Sequence, residues 1–328
     1  SNRCIFVINE LPDLQARIQV SLFNILQEGD IQIRGFKLRM PLDILFVFTA
    51  NPEDYTNRGS IVTPLKDRIE SQILTHYPKT LETSLAITEQ EADILEVQKQ
   101  RVDISDLIKR LIEQVSFEAR SNEFVDKKSG VSARLTIAAF ENAISSAERR
   151  AIIHNEKHTY VWISDLMGII PSITGKIELV YEGEQEGPYE VALNLLNKAI
   201  RTQFVEYFPN PELLKKKKMV NKKGEEKALD NPYKSIITWF DGGNHLNLML
   251  DMKDADKVIA LYKVDGLFGL VKKYYSHANE KESALLMEFV LHGLAAFSLI
   301  NKKMIDGKIE FNDLMGSMMN LGSFGLED

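Results

Sequence analysis

This chain is short of several things, and each shortage narrows what it can be. It has a single cysteine, Cys4, in 328 residues. That excludes an internal disulfide framework and accords with a reducing, cytoplasmic compartment. No apolar run reaches the roughly 20 residues needed to cross a bilayer, so no membrane partner is expected. Positive charge is in the minority: 40 Lys and Arg against 47 Asp and Glu leave a formal net charge of −7. Nucleic acid is therefore not the expected partner. No helix-turn-helix with a basic recognition face is visible. There is no catalytic Ser/His/Asp or Cys/His grouping, no zinc-type cluster, and no repeat of 20–50 residues. What remains is an ordinary globular composition, 44% hydrophobic, with length for two or three domains.

What is present concentrates in the first seventy residues. Cys4-Ile-Phe-Val-Ile-Asn-Glu10 is a short, β-rich apolar run that ends abruptly in an acidic residue. It reads as a strand buried on both faces of a parallel sheet, with its polar end at the carboxyl edge where open α/β sheets bind ligands. Asp43 to Asn51 repeats the pattern: apolar body, polar tip, then Pro52. Between them, Leu14, Ile18, Leu22, Phe23, Ile25 and Leu26 have helical spacing, with Asp13 as the expected cap and Gly29 closing the helix. Asp30 to Met40 alternates around Arg34-Gly35 and predicts a β-hairpin, with Arg34, Lys37 and Arg39 basic and Phe36 near the tip.

This order resembles the AAA+ ATPases, in particular the branch of the magnesium-chelatase ATPase subunit and MoxR-like proteins. The elements carrying the resemblance are a strand with an acidic end (Walker B-like), a helix, a hairpin, a strand ending in Asn (sensor 1-like), and Leu65-Lys-Asp-Arg68 (arginine-finger-like). It runs over roughly residues 3–165. By resemblance, Glu10 polarises the attacking water, Asn51 holds that water or the γ-phosphate, and Arg68 reaches the nucleotide of a neighbouring subunit. Arg58 is a second candidate for that last role. The competing reading of both arginines is an ordinary surface or salt-bridged side chain. Ser132-Ala-Arg134 opens a helix, and Arg134 resembles the sensor 2 cation of the lid. The cofactors implied are ATP and Mg²⁺. The partners implied are a homo-oligomeric ring of six subunits and a client protein, which the hairpin could touch. Such roles suit phosphoryl transfer, which needs positioning and charge stabilisation more than covalent chemistry.

The chain departs from the family pattern in two ways. Walker B there ends Asp-Glu, whereas this chain has Asn9-Glu10, and an amide brings no negative charge to Mg²⁺. The phosphate loop G-x-x-x-x-G-K-[ST] is also absent; the nearest stretch, Thr174-Gly175-Lys176-Ile177, lacks the first glycine and the hydroxyl. The expectation is a portion of an AAA+ protein that starts after its phosphate loop and is inactive alone. The alternative is a non-hydrolysing interaction module with a degenerate site.

The predicted fold is α/β, a partial parallel sheet with a hairpin before the sensor strand. A helical lid and a mainly helical C-terminal domain follow it. The boundaries expected are 1–78, 79–187 and 188–328. Gln72–Thr75 is predicted as the last strand. Thr88-Glu-Gln-Glu91 predicts a capping box before a helix to Arg101. Helices are expected from Asp103 to Arg120 and from Ser132 to about Asn155, a strand over Lys176–Tyr181, and an acidic turn over Glu182–Pro188 with no metal role. Further helices are expected over Tyr189–Tyr207, Pro232–Phe240, Asp254–Lys263, Gly266–His277, Glu280–Ile300 and Phe311–Met319. The lysine-rich run from Lys215 reads as a solvated excursion.

Overall fold

The computed structural model describes residues 2–32, 39–51, 61–216 and 231–314. They form a mixed α/β protein in two compact units, Ser1–His76 and Tyr77–Asp328.

The first unit follows the predicted order. Strand β1 (Cys4–Ile8) leads through a 3₁₀ turn (Leu11–Asp13) into helix α1 (Ala16–Glu28). Strands β2 (Asp30–Gln32) and β3 (Arg39–Pro41) are the antiparallel arms of the expected hairpin, with Ile31 opposite Met40. The tip, with Arg34, Phe36 and Lys37, lies outside the described residues, as does Arg58. Strand β4 (Ile44–Phe48) pairs with β1 in parallel, from Cys4 opposite Ile44 to Ile8 opposite Phe48. A short helix α2 (Thr63–Lys66) follows and buries Leu65.

Three local expectations are corrected here. Asp13 does not cap α1: it sits in the 3₁₀ turn, and Gln15 occupies the cap without a side-chain bond. Gly29 does close the helix, at φ 63°, its N–H bonded to the Ile25 carbonyl at 3.2 Å. No strand forms over Gln72–Thr75, where Ile73 and Leu74 are exposed. The apolar strands are not covered on both faces either. Among the described residues the sheet has two strands, and Ile5, Val7 and Leu45 are 65%, 53% and 62% exposed. A two-stranded sheet has too few neighbours to bury both faces of its strands.

The second unit begins with α3 (Leu81–Glu91), capped by Thr80, whose side chain accepts the Thr83 N–H. The capping box expected at Thr88 is therefore displaced: Thr88 lies buried inside the last turn of α3. Helix α4 (Glu96–Arg101) leads to strand β5 (Val102–Asp103). Helices α5 (Asp106–Ser121) and α6 (Arg134–Ile153) follow close to prediction. Strand β6 (Thr159–Tyr160) pairs with β5 in parallel, and a 3₁₀ segment (Ser164–Ile169) runs into α7 (Ile170–Thr174). The strand expected over Lys176–Tyr181 is reduced to one bridge, Leu179 to Val125, and the acidic turn is helix α8 (Tyr181–Glu186).

Helices α9 (Pro188–Tyr207), α10 (Pro211–Lys216) and α11 (Lys234–Asp241) come next. Strand β7 (Leu246–Met249) precedes α12 (Asp254–Tyr262), α13 (Leu267–Tyr274) and α14 (Glu280–Ala296). Strands β8 (Asn301–Ile305) and β9 (Lys308–Asn312) complete an antiparallel sheet ordered β7-β9-β8. A helix from Phe311 was expected; Phe311 instead ends a strand whose inward Ile309 and Phe311 are buried.

No break in packing occurs at residue 187. One core joins Leu111 of α5, Leu195 of α9 and Phe289 of α14. Buried charge crosses the same line: the Arg150 guanidinium bonds Asp165 at 3.2 and 3.0 Å and Asp254 at 2.5 Å, and Trp162 Nε1 donates to Asp254 at 2.7 Å. The two carboxylates hold the Arg150 pKa above its ordinary value despite burial.

Candidate functional site

The parallel pairing of β1 with β4 brings two polar strand ends to one edge. Its geometry continues past the last ladder pair. Thr49 N–H donates to the Ile8 carbonyl at 3.0 Å, and Leu11 N–H to the Thr49 carbonyl at 2.9 Å. The Thr49 hydroxyl accepts the Glu10 N–H at 3.0 Å and donates to Asn9 Oδ1 at 3.3 Å. Asn9, Glu10 and Thr49 are thus one hydrogen-bonded group, and Asn51 follows two residues beyond Thr49. Asn9, Glu10 and Asn51 are all exposed.

Glu10 has φ 52° and ψ 54°, the left-handed region. A non-glycine residue held there costs about 1 kcal/mol or more and needs its surroundings to impose it. The Thr49 contacts on either side of its peptide do so. The result is a carboxylate turned out at the carboxyl end of a parallel pair, with no cap hydrogen bond to the helical turn that follows it. The sequence reading overlooked Thr49; its place at the strand tip two residues before Asn51 was the available signal.

The other candidates stand apart from this group. Arg68 is engaged by α1: Nε and Nη2 donate to Gln27 Oε1 at 3.2 and 2.8 Å, Nη1 donates to the Pro64 carbonyl at 2.5 Å, and the guanidinium lies 4.9 Å from the Phe23 ring centroid. Arg134 is exposed at the first turn of α6, its N–H bonded to Ser132 Oγ at 3.1 Å.

The loop ahead of Arg134 is held on both sides of one residue. Val131 N–H donates to Tyr77 Oη at 3.1 Å, and Arg120 Nε donates to the Val131 carbonyl at 3.3 Å. The Arg120 guanidinium lies over Tyr77 and Phe117, at 4.5 and 5.3 Å from their centroids. Both its terminal nitrogens are buried without hydrogen-bond partners, and burial lowers its pKa. Gly130, at φ 71°, makes room: a Cβ there would stand 2.2 Å from Tyr77 Oη. Two turns earlier on the same face of α5, buried Glu113 accepts from Ser84 Oγ at 2.5 Å while its other oxygen has no partner, and burial raises its pKa.

The donor set bears on metal and nucleotide. Asn9 is neutral and spends its oxygen on Thr49, so it does not fit a Mg²⁺ site. Among the described residues no group of three or more His, Cys, Asp or Glu is placed to hold a metal ion. Glu10 and Asn51 are exposed at the sheet edge, and a carboxylate there can accept from water. Among the described residues no helix is long and apolar enough to cross a membrane.

No family model and no curated protein matches the chain. Among solved structures, one described as "a putative ATPase" from Cytophaga hutchinsonii is similar to it at 21% identity and a TM-score of 0.24, over 59% of this chain and 65% of that one. The chain thus spans just under two thirds of that structure's length. Likeness of that depth leaves function to the residues themselves.

Proposed function

We propose that this chain contributes the hydrolytic edge of an AAA+ ATPase resembling the magnesium-chelatase and MoxR-like branch, acting in a homo-oligomeric, six-membered ring on a client protein or in metal insertion. The observation that supports the reading best is the parallel β1–β4 pair with Asn9-Glu10 at one tip and Thr49 to Asn51 at the other. Glu10 acts as the base that orients and polarises water, and the Asn51 amide holds that water or a γ-phosphate oxygen. Charge on the equatorial oxygens is met by cations, for which Arg68, Arg58 and Arg134 are the candidates. Arg68 would have to leave Gln27 and Phe23 to act. Mg²⁺ would rely on groups other than Asn9. These 328 residues hold no phosphate loop, so the complete site takes one from elsewhere.

A second reading, a non-hydrolysing interaction module, is favoured by the neutral Asn9 and by the contacts that retain Arg68 on α1. Turnover separates the two. The 328-residue chain should hydrolyse ATP no faster than its Glu10→Ala variant. Where a phosphate loop is supplied to this edge, Glu10→Gln should keep ATP binding and lose turnover by about 10²-fold or more. Unchanged turnover in that variant would exclude the assigned role.

A further inference from the structure

A cavity of about 280 Å³ opens between α9, the C-terminal end of α14 and β8, lined among others by Asn197, Ala295, Ala296, Ser298 and Lys302. Lys302 donates to Asn197 Oδ1 at 2.7 Å, its one hydrogen-bond acceptor among the described residues. No carboxylate pairs with it there. The charged groups around it offer none: His292 on α14 is held uncharged by its burial, Lys257 on α12 sits with Glu288, Arg201 on α9 is paired with Glu212, and Glu310 on β9 is paired with Lys308. The amide nitrogen of Asn197 likewise has no acceptor among the described residues.

An ammonium in such a place lacks the partner that normally offsets its desolvation. Burial accordingly pushes the Lys302 amine down to about 8. A bare helix C-terminus would repel an anion, but this one is closed. Ser298, at φ 52°, follows the C-cap Phe297, with Ser298 N–H on the Ala295 carbonyl and Leu299 N–H on the Leu294 carbonyl, both at 2.9 Å. Ala295, Ala296, Ile300 and Leu314 are the apolar residues that line the cavity.

We propose that this cavity binds a small carboxylate, its oxygens on the Lys302 ammonium and the Asn197 amide and its short carbon chain against Ala295, Ala296 and Ile300. A single cation in a cavity with aliphatic residues among its lining suits a monoanion with a short tail better than a phosphate. The volume, just below the usual range for ligand pockets, suits a molecule of few heavy atoms.

The test is calorimetric titration of the whole chain with acetate, propionate and butyrate, against chloride at matched ionic strength. Saturable binding with a dissociation constant within about tenfold of 1 mM is expected. At pH 9 it should take up protons, read as a binding enthalpy that changes with the buffer, because a bound anion restores charge to Lys302. Lys302→Met should weaken binding at least tenfold. Asn197→Asp, which supplies an internal carboxylate, should do the same while leaving the thermal melt intact. Absence of saturable binding, equal binding of chloride, or undiminished binding in Asn197→Asp would overturn the proposal.

Discussion

Gly130 and Tyr77 show how much can depend on one missing methyl group. The Tyr77 hydroxyl occupies the space a Cβ at Gly130 would need, and to retreat the ring would have to give up its bond to the Val131 N–H and its contact with Arg120. Gly130→Ala should cost more than the roughly 1–2 kcal/mol of its left-handed backbone alone. In a Tyr77→Phe background, with the oxygen gone, the added cost should fall back to about that value. Denaturant unfolding of the four proteins measures the coupling, and an identical cost in both backgrounds would mean Tyr77 is not held in place. At this scale the sequence was partly legible. Asn9, Glu10 and Asn51 stood out because a polar residue ending an apolar run is a local signal. The partner of Arg68 was not legible, because Gln27 lies 41 positions away and nothing local distinguishes it. The place of Tyr77 against Val131 was not legible either, because it depends on a contact 54 positions away.

Helices were read well where the apolar period was long. Leu107, Ile108, Leu111, Ile112 and Val115 of α5 are all buried, and α9 and α14 fall within a few residues of expectation. The β8–β9 hairpin was missed, although its turn carried a signal. Asp306 and Gly307 have φ 47° and 75°, and Ile305 pairs directly with Lys308. Positive φ at both central positions marks the two-residue turns that match strand twist, for which Asp-Gly is a preferred pair. A Cβ at Gly307 would meet nothing within 4 Å. Gly307→Ala should therefore cost only its backbone term, about 1–2 kcal/mol, with native packing otherwise retained. Thermal unfolding checks this, and an unchanged melting temperature would show that the turn tolerates a side chain freely. The same substitution at Gly130 should be the more costly of the two, since there the side chain also meets Tyr77.

At the scale of the whole molecule, the buried polar groups of the second unit set its response to acid. His292 is 3% exposed in the core, against the Phe311 ring, with neither nitrogen hydrogen-bonded. Burial, with Lys302 and Lys257 adding repulsion, holds its pKa well below the ordinary 6.5. The folded state therefore binds fewer protons than the unfolded chain below pH 6.5. Its contribution to stability is complete above that value and is lost as pH falls below it, by up to about 1.4 kcal/mol per pH unit. Glu113, whose pKa is raised, acts in the opposite sense at lower pH, so a comparison of variants isolates the histidine. Between pH 7 and pH 5 the native chain should lose more stability than His292→Leu; parallel losses would show that the imidazole can be protonated in place.

By itself the sequence determined the nature of the elements: apolar runs with polar tips, helices with a continuous apolar stripe, and the absence of a phosphate loop. These follow from neighbours within a few residues, where periodicity and capping operate. Only the tertiary structure decided that Thr49 binds Asn9 and Glu10 together, that Arg68 rests on α1, that the core passes through residue 187 without a break, and that Lys302 faces a cavity with no acid beside it. Those outcomes depend on groups distant in sequence meeting at short range, which a linear pattern does not encode.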